Sequence, residues 1–379
     1  MDITSRLIHS GTDRDPYTGA SGVPLYLSST FDQREALLGK EYDYTRSGNP
    51  TRDALEKAVA DLEEGHTGLA FASGMAAVSS LLLLFRPGDH LIVSEDVYGG
   101  TFRVLRRLFS HWGLEASFVD TTDVNTVCAA LTPKTRGIYV ETPSNPLLKI
   151  TDLTAIAALA KEHHCISIVD NTFCSPYLQR PLTLGFDVVV HSATKFLNGH
   201  SDVLAGIAVT REEELGTRLR FIQNAFGAVL GVQDAWLLMR GIKTLGVRME
   251  AGQSSAALLA PKLADLPQVK KVYYPGLPDH PCKKIHDKQA SGPGAVLSFE
   301  LESAKCTRAF LNSVKLPLVG VSLGGVESIL SHPATMSHAS MSPEERQHRG
   351  ITDSLIRLSV GLESPEDLWL DFIHALGQG

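Results

Sequence analysis

An aspartate and a lysine follow two successive apolar segments of this 379-residue chain. Asp170 comes near the end of CISIVDN (165–171), and Lys195 follows DVVVHSA (187–193). In an open α/β sheet, ligands bind beyond the carboxyl ends of the strands, so we expect the two side chains to share one site. Burial beside other cations lowers the pKa of a lysine from about 10.4 towards 7, which would make Lys195 a nucleophile.

This pair meets the two requirements of pyridoxal 5'-phosphate, which needs a lysine for a Schiff base and an acid beside its pyridine nitrogen. Asp170 would keep that nitrogen protonated, because a nearby opposite charge raises its pKa by about 1–3. The hydroxyls of Ser192 and Thr194, and the helix predicted after residues 73–75, would supply donors to the phosphate. Singly, each feature has an ordinary explanation: a solvated lysine, a helix N-cap or a tight turn. Together they predict a pyridoxal-phosphate site.

Two further predicted strands end in residues that can contact a ligand. Tyr98 follows HLIVSED (90–96) beside two glycines, and Asn145 follows GIYVET (137–142) within the turn PSNP. A tyrosine packed in the core and a plain β-turn are the simpler interpretations. Because the ends of parallel strands meet at one edge of a sheet, both residues are also candidates for the same site.

Short Val/Ile-rich runs without strict alternation predict a mostly parallel, seven-stranded sheet with helices on both faces. An amphipathic helix, TRDALEKAVADLEEG (51–65), precedes the first run. The seven runs are LAFAS (69–73), HLIVSED, ASFVD (116–120), GIYVET, CISIVDN, DVVVHSA and LAGIAVT (204–210).

Beyond the seventh run, residues 234–263 predict one long helix or a broken pair of helices. Two further helices and four further strands then predict a smaller α/β domain with mixed pairing. The predicted domains are an extended N-terminal arm (1–47) that contacts a neighbouring subunit, a cofactor-binding domain (48–242) and a C-terminal domain (243–379). The four strands are VKKVYYPG, AVLSFELE, PLVGVSL and IRLSVG, and the helices are SAKCTRAFLNSV and PEDLWLDFIHAL.

The composition argues against several classes of protein. The net charge of −7 is unsuited to binding nucleic acid, and no apolar run approaches the roughly 20 residues of a membrane span. The start, MDITSRLIHSGTD, lacks the apolar stretch of a secretory signal. Five dispersed cysteines without a CxxC pair, and the lack of HExxH, argue against a metal site. We expect a cytoplasmic protein with no metal, membrane or nucleic-acid partner.

Motifs along nearly the whole chain resemble the cystathionine γ-synthase and β-lyase family of pyridoxal-phosphate enzymes. The resemblance implies an aspartate-aminotransferase-like fold and a homotetramer that acts on a small amino-acid substrate. The matching segments are YTRSGNPTR (44–52), SGMAA (73–77), DVYGGTFR (96–103), ETPSNPLL (141–148), VDNTF (169–173), HSATKFLNGHSD (191–202), VSLGGVESILSHPATMSH (321–338) and GITDSLIRLSVGLE (350–363).

The resemblance also implies roles for individual residues. Lys195 would be the Schiff-base lysine and proton shuttle, Asp170 the partner of the pyridine nitrogen, and Tyr98 the ring stacked on the cofactor; these are the expected catalytic residues. Further contacts to the cofactor are expected from Gly74, Met75, Thr172, Ser192 and Thr194.

Three regions would complete the site. Tyr44 and Arg46 resemble a pair that reaches the phosphate from the adjacent subunit, so the homotetramer would be a dimer of active dimers. Arg357 resembles the arginine that grips the substrate α-carboxylate bidentately, assisted by Ser322 and Asn145. A buried structural ion pair is the alternative interpretation of Arg357.

Two positions bear on the reaction within the family. Members that act at the γ-carbon commonly have a glutamate before SLGG, where this chain has Val321, and methionine γ-lyases typically have a cysteine where it has Gly100. The resemblance therefore implies β-elimination of L-cystathionine to homocysteine, pyruvate and ammonia, a step of methionine biosynthesis by transsulfuration.

Other activities stay open at this point. Within the family they are cystathionine γ-lyase, γ-synthase and methionine γ-lyase activity. A pyridoxal-phosphate-binding regulator is the non-enzyme alternative, but it would need a DNA-binding module that neither the arm nor the charge provides. A nicotinamide dehydrogenase would need a GxGxxG segment after a strand, and the sequence has none.

Overall fold

The structure is a computed structural model that describes residues 1–11, 15, 17–34, 41–339 and 341–377. Parts of the predicted arm, at residues 12–14, 16 and 35–40, lie outside the described residues. The described chain forms two β-sheets, one from strands between residues 67 and 210 and one from strands between residues 269 and 359. The domain boundaries expected after residues 47 and 242 stay predictions.

The large sheet contains the seven strands expected from the sequence. They are β1 (Thr67–Phe71), β2 (His90–Ser94), β3 (Glu115–Val119), β4 (Thr135–Glu141), β5 (Ile166–Asp170), β6 (Val188–Ser192) and β7 (Gly206–Thr210). Their order across the sheet is β1-β7-β6-β5-β4-β2-β3. Strands β2 to β6 pair in parallel, whereas β7 is antiparallel to β6 and β1. The predicted mostly parallel sheet is therefore confirmed.

Both faces of the large sheet are buried, which explains why its strands are apolar without alternation. In β2, Ile92 packs into one hydrophobic cluster while Leu91 and Val93 pack into another on the opposite face. In β6, Val189 and Val190 divide between the same two clusters. Successive side chains point to opposite faces of a strand, so a sheet covered on both sides requires apolar residues at every position.

Helices cover the sheets, and several begin at a side-chain cap. Ser73 accepts from the N–H of Ala76 at 3.0 Å, and Asp152 accepts from that of Ala155 at 3.0 Å. No helix in the described part of the chain has the length and apolar character needed to cross a membrane. The helices are α1 (Ile3–His9), α2 (Pro50–Leu62), α3 (Gly74–Leu82), α4 (Gly99–Arg107), α5 (Val124–Ala129), α6 (Leu153–Glu162), α7 (Ser175–Leu178), α8 (Glu213–Phe226), α9 (Val232–Ile242), α10 (Leu245–Ala264), α11 (Lys283–Gln289), α12 (Ala304–Ser313), α13 (Pro343–His348) and α14 (Pro365–Ala375), with 3₁₀ turns at Phe109–Trp112 and Pro181–Leu184.

Helix α1 corrects the expectation that the arm is extended throughout. Its N-cap, Asp2, accepts from the N–H of Thr4 at 2.9 Å. Arg6 then pairs with Asp61 at 3.1 Å and with Glu64 at 2.9 Å. These long-range ion pairs anchor a helix that the local sequence pattern does not reveal.

The smaller sheet has five strands in the order β10-β11-β12-β9-β8. They are β8 (Val269–Tyr273), β9 (Val296–Leu301), β10 (Leu318–Val319), β11 (Ile329–Ser331) and β12 (Leu355–Ser359). The predicted strand at 317–323 is limited to two residues, and no sequence pattern predicted β11. Residues 234–263 form the broken pair, α9 and α10, rather than one long helix.

A buried arginine fixes the loop that follows Lys195. Arg248 of α10 donates to the carbonyl oxygens of Phe196 at 2.7 Å and Gly241 at 2.8 Å. Among the described residues no carboxylate forms an ion pair with it, and burial lowers its pKa to about 10. Gly199 lies against this guanidinium with φ +74°, and an added Cβ would stand 2.0 Å from Nη1.

We predict that Gly199→Ala destabilises the protein by more than about 2 kcal/mol, because both the backbone angle and the close approach exclude a methyl group. Urea unfolding measured by circular dichroism tests this. Gly22→Ala is the matched control, since an added Cβ there meets nothing within 4 Å. Equal midpoints for the two variants would contradict the proposed constraint.

Candidate active site

Lys195 lies in the turn between β6 and β7, at the carboxyl edge of the large sheet. Its Nζ donates to the hydroxyl oxygen of Ser322 at 2.8 Å. Burial and, secondly, the positive charge of Arg357 lower the pKa of Lys195 to about 8. A neutral amine is therefore accessible near neutral pH, as a nucleophile or a base requires.

Asp170 is the last residue of β5, the strand next to β6. Its Oδ1 accepts from the N–H of Thr172 at 3.0 Å and from the hydroxyl of Thr172 at 2.5 Å. The hydroxyl of Tyr139 lies 3.5 Å from Oδ2. Burial raises the pKa of Asp170, although the hydrogen bonds from Thr172 act in the opposite direction. A cation or a protonated ring nitrogen beside Asp170 would compensate this buried charge.

The start of α3 offers amide donors to an anion. Ser73 caps the helix, and Gly74 is its first residue. Gly74 lies so close to β6 that an added Cβ would stand 3.0 Å from the side chain of Ser192. Thr194 accepts from the N–H of Ala205 at 3.0 Å, which fixes its hydroxyl beside the reactive loop. Backbone amides and hydroxyls converging at a helix N-terminus suit a phosphate group.

Arg357, in β12 of the smaller sheet, is 3% exposed. It donates to Asn145 Oδ1 at 2.9 Å, to the carbonyl oxygen of Ser322 at 2.6 Å and to the hydroxyl of Ser331 at 3.0 Å. Its Nε has no partner, and no described carboxylate lies within ion-pair distance of it. Burial lowers its pKa to about 10. A buried guanidinium with a free donor is suited to an incoming carboxylate, and the alternative of a structural ion pair finds no partner in the described residues.

Ser322 joins the two cations through an unusual backbone conformation. Its φ of +96° lies in the left-handed region, which costs a non-glycine residue of order 1–3 kcal/mol. In this conformation its hydroxyl accepts from Lys195 while its carbonyl oxygen accepts from Arg357. The strain is thus located at the contact between the lysine loop and the smaller sheet.

These side chains surround one cavity of about 500 Å³. The structure brings eleven of the thirteen predicted site residues to its walls. They are Gly74, Met75, Tyr98, Asn145, Asp170, Thr172, Ser192, Thr194, Lys195, Ser322 and Arg357.

Tyr44 and Arg46, the remaining two predicted residues, do not line the cavity. Tyr44 is 45% exposed, and Nη1 of Arg46 donates to the carbonyl oxygen of Asn224 at 2.8 Å. Neither residue contacts the cavity within a single chain. Their expected contribution to a neighbouring subunit's site stays a prediction.

Two charged cavity residues, Glu141 and Arg103, escaped the sequence analysis. Glu141 ends β4 directly opposite Asp170, and Arg103 is an exposed cation in the middle of α4. Both stand inside segments quoted for the family resemblance, ETPSNPLL and DVYGGTFR. The position of Glu141 at the end of a strand was an available indication, because Asp170 was selected on that ground.

The donor set fits pyridoxal 5'-phosphate. Lys195 offers an amine with a lowered pKa, and Asp170 a shielded carboxylate for the ring nitrogen. The amides at the start of α3, with Ser192 and Thr194, would hold the phosphate. Combined with a mostly parallel seven-stranded sheet, this set defines a pyridoxal-phosphate enzyme of the aspartate-aminotransferase-like class.

Comparisons with known proteins agree with this class. The chain is 55% identical over 374 residues to cystathionine beta-lyase MetC of Bacillus subtilis (strain 168), covering 99% of this chain and 96% of that protein. It is 51% identical over 376 residues to cystathionine gamma-lyase of the same organism, covering 99% of both chains. The crystal structure of cystathionine gamma-lyase from Lactobacillus plantarum complexed with L-serine superposes with a TM-score of 0.98 at 47% identity, covering 100% of this chain and 99% of that one.

A family profile described as Cys/Met metabolism PLP-dependent enzyme matches residues 4–377, and the chain belongs to this family. Its cofactor is therefore pyridoxal 5'-phosphate, and it is an enzyme of the group of cystathionine lyases and synthases. The cofactor and family expected from the sequence are both confirmed.

We predict that the apoenzyme takes up pyridoxal phosphate at a rate that rises with pH and levels off above about 8, because neutral Lys195 is the reacting form. Stopped-flow absorbance of the bound cofactor measures this profile. Arg357→Met should move the midpoint to higher pH, since it removes a positive charge that lowers the pKa of Lys195. Arg357→Lys keeps the charge and is the control; identical midpoints for both variants would argue against the assignment.

Proposed function

We propose that the protein catalyses β-elimination of L-cystathionine to homocysteine, pyruvate and ammonia, in methionine biosynthesis. The observation that carries this proposal is Val321, an exposed apolar residue in the cavity wall directly before Ser322. Family members that act at the γ-carbon commonly have a glutamate at this position. The proposal rests on that side chain more than on overall similarity, because relatives of both reaction types are comparably identical to this chain.

Reaction chemistry explains why a carboxylate at this position matters. β-Elimination removes a proton from the α-carbon and expels a thiolate from the β-carbon. Elimination at the γ-carbon needs a further proton transfer at the β-carbon, and hence a further acid or base. The carboxylates that line the cavity, Glu141 and Asp170, already accept hydrogen bonds from protein donors. Val321 adds no acid or base to the cavity, which favours β-elimination, the reaction that needs fewer proton transfers.

The protein's own groups have distinct tasks in the proposed reaction. Arg357 binds the substrate α-carboxylate through its free donor, while Asn145 and Ser322 hold the guanidinium in place. The neutral amine of Lys195 removes the α-proton, and Tyr98 and Asp170 orient the cofactor. Pyridoxal phosphate, when bound, supplies the electron sink for the charge left at the α-carbon. The departing homocysteine thiolate takes up a proton as it leaves.

The cavity mouth suits a substrate with a second charged end. The exposed side chain of Arg103 lines the cavity, and it forms no ion pair with a described residue. L-Cystathionine carries a distal carboxylate, which Arg103 can meet. This contact supports a substrate longer than cysteine.

We also propose a site shared between subunits of a homotetramer. The cations among the described residues that line the cavity are Arg103, Lys195 and Arg357. In the proposed arrangement, none of these three binds the phosphate. Arg46, which is exposed, would supply that charge from a partner. Exposed apolar side chains support subunit contacts; they include Leu27 (73%), Phe221 (73%) and Phe226 (63%). The expected cytoplasmic location stays a prediction.

The product of L-cystathionine cleavage tests the reaction. We expect pyruvate and homocysteine, identified by chromatography of the keto acids. Val321→Glu should raise the ratio of 2-oxobutyrate to pyruvate by about tenfold, because it adds an acid–base group beside Ser322. Val321→Gln is the uncharged control of similar size. Predominant 2-oxobutyrate from the unmodified protein would move the assignment to γ-elimination.

Subunit mixing tests the shared site. We expect Lys195→Ala and Arg46→Ala each to be nearly inactive alone, but to recover about one quarter of full activity after unfolding and refolding together. Each mixed dimer would contain one site with both native residues. Should Arg46 act within its own chain, both sites of a mixed dimer are defective, and the mixture stays inactive.

A further inference from the structure

We infer that Glu141 is a positioning residue whose carboxylate holds the Tyr98 loop and the Asn145 turn together. It thereby positions both the guanidinium of Arg357, which binds the substrate carboxylate, and the side chain of Tyr98. The inference rests on the roles of Arg357 and Tyr98 in the proposed function, and it adds the group that fixes their positions relative to each other. Glu141 itself is only 6% exposed.

The two oxygens of Glu141 bind backbone donors from two different loops. Oε2 accepts from the N–H of Tyr98 at 2.8 Å, and Oε1 accepts from the N–H of Asn145 at 3.1 Å. Tyr98 precedes the first residue of α4, which has no cap from a side chain of its own. One carboxylate therefore caps a helix and fixes a turn. Glu141 is 43 residues from Tyr98 in sequence and four from Asn145.

From Asn145 the contacts continue to the reactive amine. The side-chain oxygen of Asn145 accepts from Nη1 of Arg357 at 2.9 Å. Nη2 of Arg357 donates to the carbonyl oxygen of Ser322, whose hydroxyl accepts from Lys195. A displacement of the Asn145 turn would therefore move the guanidinium and the groups bound to it.

The surroundings of Glu141 argue against a direct role in proton transfer. It lies opposite Asp170 across β4 and β5. Burial and the charge of Asp170 raise its pKa well above the usual range, while the hydrogen bonds from the N–H groups of Tyr98 and Asn145 act in the opposite direction, because they stabilise the ionised carboxylate. Both oxygens already accept from backbone N–H donors, so a movement of this carboxylate towards a substrate would break these hydrogen bonds. The negative charge of Glu141 raises the pKa of Arg357, against the larger effect of burial, yet the two side chains form no ion pair. Glu141 thus acts through the loops that it holds.

Glutamine cannot replace this arrangement, although it has nearly the same shape. Its amide has one acceptor oxygen, and its NH₂ group would face the remaining backbone N–H. A buried N–H would lose its acceptor in Glu141→Gln, and one of the two loops would shift. Glu95→Gln is the matched control, because Glu95 precedes Tyr98 in the same loop but pairs with Lys149 at 2.9 Å.

The experiment titrates each holoenzyme with L-alanine and follows the absorbance of the bound cofactor. L-Alanine has an α-carboxylate but no leaving group, so the result does not depend on which carbon the enzyme attacks. We expect Glu141→Gln to raise the Kd for L-alanine by about tenfold and to change the circular dichroism of the cofactor, with Glu95→Gln unchanged in both. A structural role alone would lower the unfolding midpoint and leave both signals unchanged, which would overturn the inference.

A double variant tests the path through Asn145. If Glu141 acts through this turn, Asn145→Ala combined with Glu141→Gln should weaken L-alanine binding no more than the stronger single variant. If the double variant instead raises the Kd by the product of the two separate effects, the path through Asn145 is refuted. If Arg357→Lys leaves the Kd unchanged while Glu141→Gln raises it, the carboxylate site of the proposed function fails, and the path from Glu141 through Arg357 fails with it.

Discussion

The site depends on the burial of four charged groups around one cavity. They are two cations, Lys195 and Arg357, and two carboxylates, Asp170 and Glu141. The charge of Arg357 lowers the pKa of Lys195, and the charge of Asp170 raises the pKa of Glu141 on the adjacent strand. Charges shielded in this way are costly unless hydrogen bonds or ligands compensate them. The protein supplies part of the compensation through Thr172, Asn145, Ser322 and backbone amides. The cofactor and the substrate carboxylate would supply the remainder.

The fold brings these charges together from distant parts of the chain. Adjacent parallel strands place Asp170 near Lys195, and β4 places Glu141 beside Asp170. Arg357 comes from the smaller sheet, and Ser322 connects it to the lysine loop at a strained backbone angle. Arg248 holds the other side of that loop. The lysine is therefore fixed from both sides before any ligand binds.

Much of this arrangement follows from the sequence, because apolar runs define the strands and strand ends define the site. All seven strands of the large sheet, and nine cavity residues at or just after their ends, were accessible in this way, whereas Ser322 and Arg357 came only from the family resemblance. Strand β11 was not, since three residues carry too little pattern. Helix α1 depends on ion pairs to residues more than fifty positions away. The role of Glu141 depends on which two loops approach it in the folded chain. The left-handed φ of Ser322 could not be predicted from the sequence, because glycine is the residue that normally indicates such an angle.

The division of the cavity between two sheets has an evolutionary consequence. Most groups suited to the cofactor lie between residues 74 and 195, whereas Val321, Ser322 and Arg357 come from the second sheet and its connections. Under the proposed function, a substitution at Val321 can therefore redirect the choice of bond broken without removing a group that would hold the cofactor. A lineage can then change its reaction through one wall of the cavity while the opposite wall keeps the groups suited to the cofactor. Relatives that are nearly equal in similarity yet bear different reaction names are what such a history leaves behind.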